Sequence, residues 1–277
     1  MKKSLISLLV AAIIIVGCNK TEDDALSLEK IAVVASFLTP NQTPMVILSS
    51  AIAYSDDTTT VDDAISGQTL KISTEEMEYV MTESDTIPGT YLESSGNLEI
   101  EPGITYQLSF TYKDQDVSSS TIIPFKPENF EISDSTISVE RITEDTGPGN
   151  PPSMEEVELT WDNDDANYYI LNIKYLEEEY DTINTVFEID DAEDRANFST
   201  EPIQTDYFTI RSMQFSFFGK YQVVLSQITP EYAKLYESLS QSSLEGLTEP
   251  ESNVTNGKGI FTSYNSDTLN IYVYESK

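Results

Sequence analysis

Apolar and polar residues alternate along most of this chain with a period of two, the spacing that turns one face of a β-strand to a core and the other to water. The clearest case is residues 104–112, where Ile104, Tyr106, Leu108, Phe110 and Tyr112 alternate with Thr105, Gln107, Ser109 and Thr111. Pro102-Gly103 opens that strand, and residues 117–123 are expected to pair back on it as a hairpin across 113–116. Two β-rich runs, 31–38 and 45–54, flank a turn-forming insert at 39–44. After a polar loop at 56–63, the short runs 64–65, 70–72 and 78–81 keep the rhythm. Later strands are expected at 130–142, 157–161, 168–176, 185–189 and 207–225, the last folding as a hairpin at Phe218-Gly219-Lys220. The tail returns to strand at 259–264 and again at 269–274.

The pattern breaks at Pro124-Phe125-Lys126-Pro127, because proline cannot donate to a central ladder. A domain boundary is placed there. The expected fold is mainly all-β: two β-sandwich domains of the immunoglobulin or fibronectin III-like kind, at 30–125 and 126–277. Leu159-Thr160-Trp161, an acidic turn and Tyr168-Tyr169-Ile170-Leu171 resemble the B and C strands of a fibronectin III-like sandwich. Trp161 then plugs a core, with a sugar-stacking platform as the alternative. The second domain carries one short C-terminal helix, about 230–243, with Thr229 as N-cap, Pro230 in the first turn and Tyr232, Leu235, Tyr236 and Leu239 at helical spacing. Residues 144–153, with Gly147-Pro148-Gly149-Asn150-Pro151-Pro152, read as a long exposed loop. Gly257 and Gly259 permit a tight turn or bulge ahead of the last strands.

The N-terminus follows a different pattern. Lys2-Lys3 heads an apolar run at 5–16, too short for the roughly 18 to 20 residues that span a bilayer, so 1–17 reads as a signal peptide. Ile15-Val16-Gly17-Cys18 resembles a bacterial lipobox, which implies cleavage before Cys18 and acylation of its thiol, a palmitate-type anchor. Several acyl chains together hold a protein stably on its membrane. Residues 18–29 are then a lipidated acidic tether, and Asn19-Lys20-Thr21-Glu22-Asp23-Asp24 resembles the signal that exports lipoproteins to the outer face of the outer membrane.

Charge narrows the possible partners. With 15 Lys and Arg against 48 Asp and Glu the chain has a formal charge of −33, which repels nucleic acid and anionic lipid alike. Hydrophobic residues at 39% and aromatics at 10% still suffice for cores. Histidine is absent and Cys18 is the only cysteine, which removes Ser-His-Asp and Cys-His catalysis, the usual zinc ligands and any disulfide. No pair of acids stands out for glycoside hydrolysis, so no catalytic residue is assigned. No cofactor is expected either, and calcium is the one ion the composition would suit. Its candidates are Asp162 and Asp164 in the acidic turn and Asp190 and Asp194 in a second cluster. An EF-hand would need glycine and glutamate where Asn167 and Ile173 stand. Five triplets beginning at Asp57, Asp85, Asp134, Asp181 and Asp267 resemble an O-glycosylation sequon of exported proteins.

Ile228-Thr229-Pro230-Glu231-Tyr232, residues 249–261, Val61-Asp62-Asp63-Ala64-Ile65 and residues 103–108 together resemble an uncharacterised family of Bacteroidetes outer-membrane lipoproteins. That resemblance implies genes beside TonB-dependent receptors and brings no catalytic residues. The function expected is a surface-exposed outer-membrane lipoprotein, not an enzyme, serving as accessory binding subunit of a TonB-dependent uptake complex. Residues 144–153 and the tyrosines Tyr264, Tyr272 and Tyr274 are its candidate contacts, unless those tyrosines line the core. The alternative is an anchored fimbrial or structural surface subunit, which needs cleavage at a basic residue near the N-terminus. The first arginine, however, is Arg141.

Overall fold

A computed structural model describes residues 30–52, 63–145, 154–186, 190–240 and 250–276. Cys18 and the tether, the loop at 56–62, most of the 144–153 loop, residues 187–189 and the last residues of the expected helix lie outside the described residues.

Nine strands form the first part: β1 (Lys30–Leu38), β2 (Met45–Ile52), β3 (Asp63–Ala64), β4 (Lys71–Ser73), β5 (Glu78–Val80), β6 (Thr82–Glu83), β7 (Thr90–Leu92), β8 (Thr105–Tyr112) and β9 (Gln115–Ile122). One layer runs β1-β2-β7-β6, and the other runs β5-β4-β8-β9. Between them lie Val34, Leu48, Leu70, Ile72, Tyr106, Leu108 and Val117. The alternation in β8 holds, with Tyr106, Leu108 and Phe110 buried. Its hairpin closes more tightly than the sequence indicated, pairing Tyr112 with Gln115. Lys113 and Asp114 take φ of 48° and 61°, the left-handed pair whose twist suits a two-residue turn.

The second part holds β10 (Glu131–Ile132), β11 (Thr136–Val139), β12 (Glu156–Thr160), β13 (Tyr168–Tyr175), β14 (Asp181–Thr182), the helical turn α1 (Ala192–Ala196), β15 (Phe198–Ser199), β16 (Tyr207–Arg211), β17 (Phe217–Ile228), helix α2 (Pro230–Ser240) and β18 (Lys258–Glu275). Strands β10-β12-β16 make one layer, and β15-β13-β17-β18 faces it across Leu159, Trp161, Leu171, Phe217, Val223 and Ile271. The protein is therefore all-β and sandwich-like, with α2 as its short helix.

Four expectations change. The run 130–142 is two strands in different sheets, because Asp134 Oδ1 accepts from the Thr136 amide at 2.9 Å and its hydroxyl at 2.8 Å and turns the chain between them. The strand expected at 185–189 is absent from the described Thr185 and Val186, and pairing falls earlier, at β14 and at Asn184 opposite Ile142. No hairpin forms at Phe218-Gly219-Lys220, since Gly219 pairs with Val273 in mid-strand. The glycine is there because a side chain would strike Tyr175 and Glu177. The chain turns instead through the 3-10 turn Ser212–Gln214, which carries it from one layer to the other.

The fourth change concerns the tail, which is one strand of 18 residues, about 60 Å long at 3.3 Å per residue. Its first third pairs parallel with β1, Val33 opposite Lys258 through Leu38 opposite Ser263. The remainder pairs antiparallel with β17, Tyr264 opposite Ile228 through Val273 opposite Gly219. The polar residues that suggested a gap are in use: Asn265 donates to the Pro124 carbonyl at 3.1 Å, Ser266 Oγ meets Ser226 Oγ at 2.8 Å, and Asp267 pairs with Lys126 at 2.8 Å. The two cores take residues from either side of residue 125, except that Val254 and Phe261 of the C-terminal segment belong to the first. One strand thus belongs to both sandwiches.

Candidate functional site

Strand β1 is apolar on both faces. Ala32, Val34 and Leu38 enter the core, while Val33 and Ala35 are half-buried and Phe37 is 42% exposed on the other side. Across the ladder, β2 adds Met45 and Ile47, exposed by 46% and 42%. Outward-facing residues of a sandwich strand are ordinarily polar, so this strip is an exception in a sheet where β1 runs parallel to β18 and antiparallel to β2. Beside it α2 packs on β18: Thr229 Oγ1 and Thr262 Oγ1 lie 2.6 Å apart, and the Tyr232 ring meets Phe37 at 5.1 Å between centroids.

The turn that joins Phe37's strand to Met45's also walls a cleft. Residues 40–44, the loop from Glu93 to Pro102, and Lys126 with Asn265 enclose about 680 Å3, within the range of small-ligand sites, roughly 300–1,000 Å3. Its walls are fixed from beneath. Tyr106 Oη donates to the Glu99 carbonyl at 2.9 Å and accepts from the Glu101 amide at 3.0 Å. Burial pushes that phenol's pKa up. Glu93, buried at the base, accepts from the amides of Ser95 at 3.0 Å and Gly96 at 2.8 Å and from the Ser95 hydroxyl. Burial pushes its carboxyl up, and these hydrogen bonds more than reverse the shift, so Glu93 stays ionised. Glu99 and Glu101 line the cleft alongside the side-chain amides of Asn41, Gln42 and Asn265 and the ammonium of Lys126, which also pairs with Asp267.

The carboxyls with lowered pKa, Glu83, Glu93 and Asp134, act as caps on turns. The Ser66 hydroxyl and the amides of Gly89 and Gly67 hold Glu83 low, and Thr136 holds Asp134 low. A general acid would need the opposite shift.

Cys18 lies outside the described residues. Asp162 accepts from Asn129 Nδ2 at 2.6 Å, and the turn around it is organised by Asn163, which accepts from the Asn167 amide at 2.7 Å and donates to the Gln204 carbonyl at 2.9 Å. Asp164 is exposed on that turn, and Asp190 and Asp194 are exposed at α1. Among the described residues no three His, Cys, Asp or Glu are grouped so as to hold a metal ion. Trp161 is 3% exposed between Phe130 and Tyr169, which rules out the stacking platform. Tyr264 is half-buried near α2, whereas Tyr272 and Tyr274 are 51% and 42% exposed with their rings stacked 6.5 Å apart, outside the core. Arg141 pairs with Asp181 at 2.8 Å and Glu275 at 2.9 Å and lies over the Phe218 ring. Sequence reasoning missed the strip. Its signal was present in Ile31-Ala32-Val33-Val34-Ala35-Ser36-Phe37-Leu38, a run too apolar for a strand with one wet face.

No described helix is long and apolar enough to cross a membrane. A family model described as a domain of unknown function (DUF4249) matches residues 20–270. A crystal structure of titin domains is similar at 11% identity and a TM-score of 0.21, over 88% of this chain and 67% of that one, a superposition too loose to carry an argument. No curated protein matches.

Proposed function

We propose, from the premise that the chain belongs to the family of the domain of unknown function DUF4249 over residues 20–270, that it is a lipid-anchored, non-enzymatic accessory subunit of an outer-membrane uptake complex. Cys18 supplies the anchor, and residues 19–29 hold the sandwiches off the membrane at the cell surface. No bound cofactor takes part. The observation that carries the reading is the apolar strip Phe37, Met45 and Ile47, each 42–46% exposed, because apolar side chains gathered on one sheet face mark an interaction site. The cleft next to it suits capture of a polar solute, for which Glu99, Glu101, Lys126 and the neighbouring amides offer both donors and acceptors.

A tethered body cannot itself move a solute across a membrane. The partner is accordingly a channel, and the sequence resemblance favours a TonB-dependent receptor, with the strip as docking face and the cleft presenting the solute. The fimbrial alternative is disfavoured by Arg141, whose ion pairs tie β11's end to β14 and β18. Cleavage there would cut the second sandwich.

Gentle detergent extraction of the tagged full chain from its own cells, followed by identification of what co-purifies, tests the proposal. A β-barrel receptor recovered in stoichiometric amount is expected. Repeated recovery of the protein alone would contradict the accessory role and leave a free-standing binder.

A further inference from the structure

At the end of the first sandwich away from the 39–44 turn, a cavity of about 410 Å3 opens between the start of β1, the β8–β9 turn and the segment entering β18. The chain has only 15 Lys and Arg against 48 Asp and Glu. Yet Lys30, Lys113 and Lys258 all line this one cavity, no carboxylate among the described residues does, and Gln115 and Asn256 add amide groups. We propose that this cavity binds a phosphate-type anion.

The lysines are brought together by backbone that is tied in place. Lys258 sits beside Val33 in the parallel β1–β18 ladder, and Lys30 opens the same β1. Lys113 is the first residue of the two-residue turn, with φ of 48°. That turn is strapped to the β18 approach by Asn256 Nδ2 donating to the Asp116 carbonyl at 2.9 Å, and by Ser118 and Thr255 exchanging amide hydrogen bonds of 3.2 and 2.8 Å. Lys30 forms an ion pair with Asp63 of β3. Lys113 is not tied to a carboxylate among the described residues. Its ammonium lies 5.5 Å from the Tyr112 ring centre and 3.4 Å from the Lys30 carbonyl. An ammonium with no carboxylate partner among the described residues has hydrogen-bonding capacity left for an incoming anion, and ammonium-to-phosphate hydrogen bonds are among the stronger ones.

The formal charge of −33 opposes anionic partners at long range. At physiological salt, however, that repulsion is screened beyond about 8 Å, so inside the cavity the nearby lysines decide the sign. Two sources offer the ligand: a phosphorylated lipid headgroup or a free phosphoester. Lys30 follows Cys18 by 12 residues, at most about 40 Å of extended chain. An anchor at Cys18 would keep the cavity within that reach of the headgroups. Only that source rests on the anchored reading, since free phosphate would bind whether or not Cys18 is acylated.

Amine-acylation rates read by mass spectrometry test the site on the full chain, in detergent with inorganic phosphate and in phosphatidylcholine bilayers with or without phosphatidic acid, at constant ionic strength. Phosphate is expected to slow Lys113 and Lys258 several-fold and leave the exposed Lys174 and Lys220 unchanged. Protection by phosphatidic acid bilayers as well identifies the headgroup as a source, and protection by phosphate alone identifies a free phosphoester. No selective protection in either arm overturns the proposal. Calorimetry with inorganic phosphate on a Lys113→Gln/Lys258→Gln variant should give at least a tenfold weaker Kd at an unchanged melting temperature. An unaltered Kd would place the anion elsewhere.

Discussion

At Gly259 the backbone has a φ of 90°, and a methyl group there would lie 2.0 Å from the Val34 carbonyl oxygen. Gly259→Ala is expected to destabilise the protein by about 2–5 kcal/mol, strain and overlap combined. A lower urea midpoint at unchanged slope reports it, and a midpoint within error of wild type would mean the two strands do not approach so closely. Glu93 sets a second residue-scale expectation. Its folded pKa is lowered, so its contribution is fully present above the unfolded value, about 4.3, and is lost as pH falls through the folded value. Glu93→Gln should cost about 1–3 kcal/mol at pH 7, and its gap from wild type should close toward pH 3. A gap that persists at low pH would show that the carboxylate's charge is not what the turn uses. The two positions differ in how readable they were. The glycine is visible in sequence because few other residues suit a left-handed turn or bulge. Glu93-Ser94-Ser95-Gly96 looks like any polar turn, and nothing in those four residues marks its carboxylate as buried.

Helix α2 shows the same division among elements. Its start was legible because a cap is local chemistry: Thr229 Oγ1 accepts from the Tyr232 amide at 3.3 Å. The partner of that hydroxyl, Thr262, was invisible because it lies on a strand 33 residues away. Thr229→Ala should destabilise by about 1–2 kcal/mol through the lost cap and the stranded Thr262 hydroxyl, and Thr229→Ser should restore most of it. Thermal melts compare the three, and equal stability of the alanine and serine variants would dismiss the hydroxyl's role. Strand β8 was legible because one of its faces is wet. Strand β18 was not, because Asn265, Ser266 and Asp267 read as a loop and only their partners on the 124–127 linker and β17 show that the ladder continues through them. Gly219 misled for a related reason, as a glycine needed for close packing looks in sequence like one needed for a turn.

For the molecule as a whole, the alternation and the Pro124-to-Pro127 break were enough to foresee an all-β, sandwich-like protein. The exchange that brings Val254 and Phe261 into the first core was out of reach, because parallel pairing of the first and last strands leaves no local trace. The anchored, docked protein proposed here makes two claims at this scale. Cys18→Ser should lose lipid label and leave the outer membrane, and full membrane retention of that variant would remove the anchor. The docking claim is tested most directly in living cells by photo-crosslinking from single positions. A photoreactive residue at Phe37 or Ile47 should capture one outer-membrane β-barrel protein, while the same residue at Tyr207, 53% exposed on the second sandwich, should not. Crosslinks absent from both strip positions, or no stronger there than at Tyr207, would contradict the account.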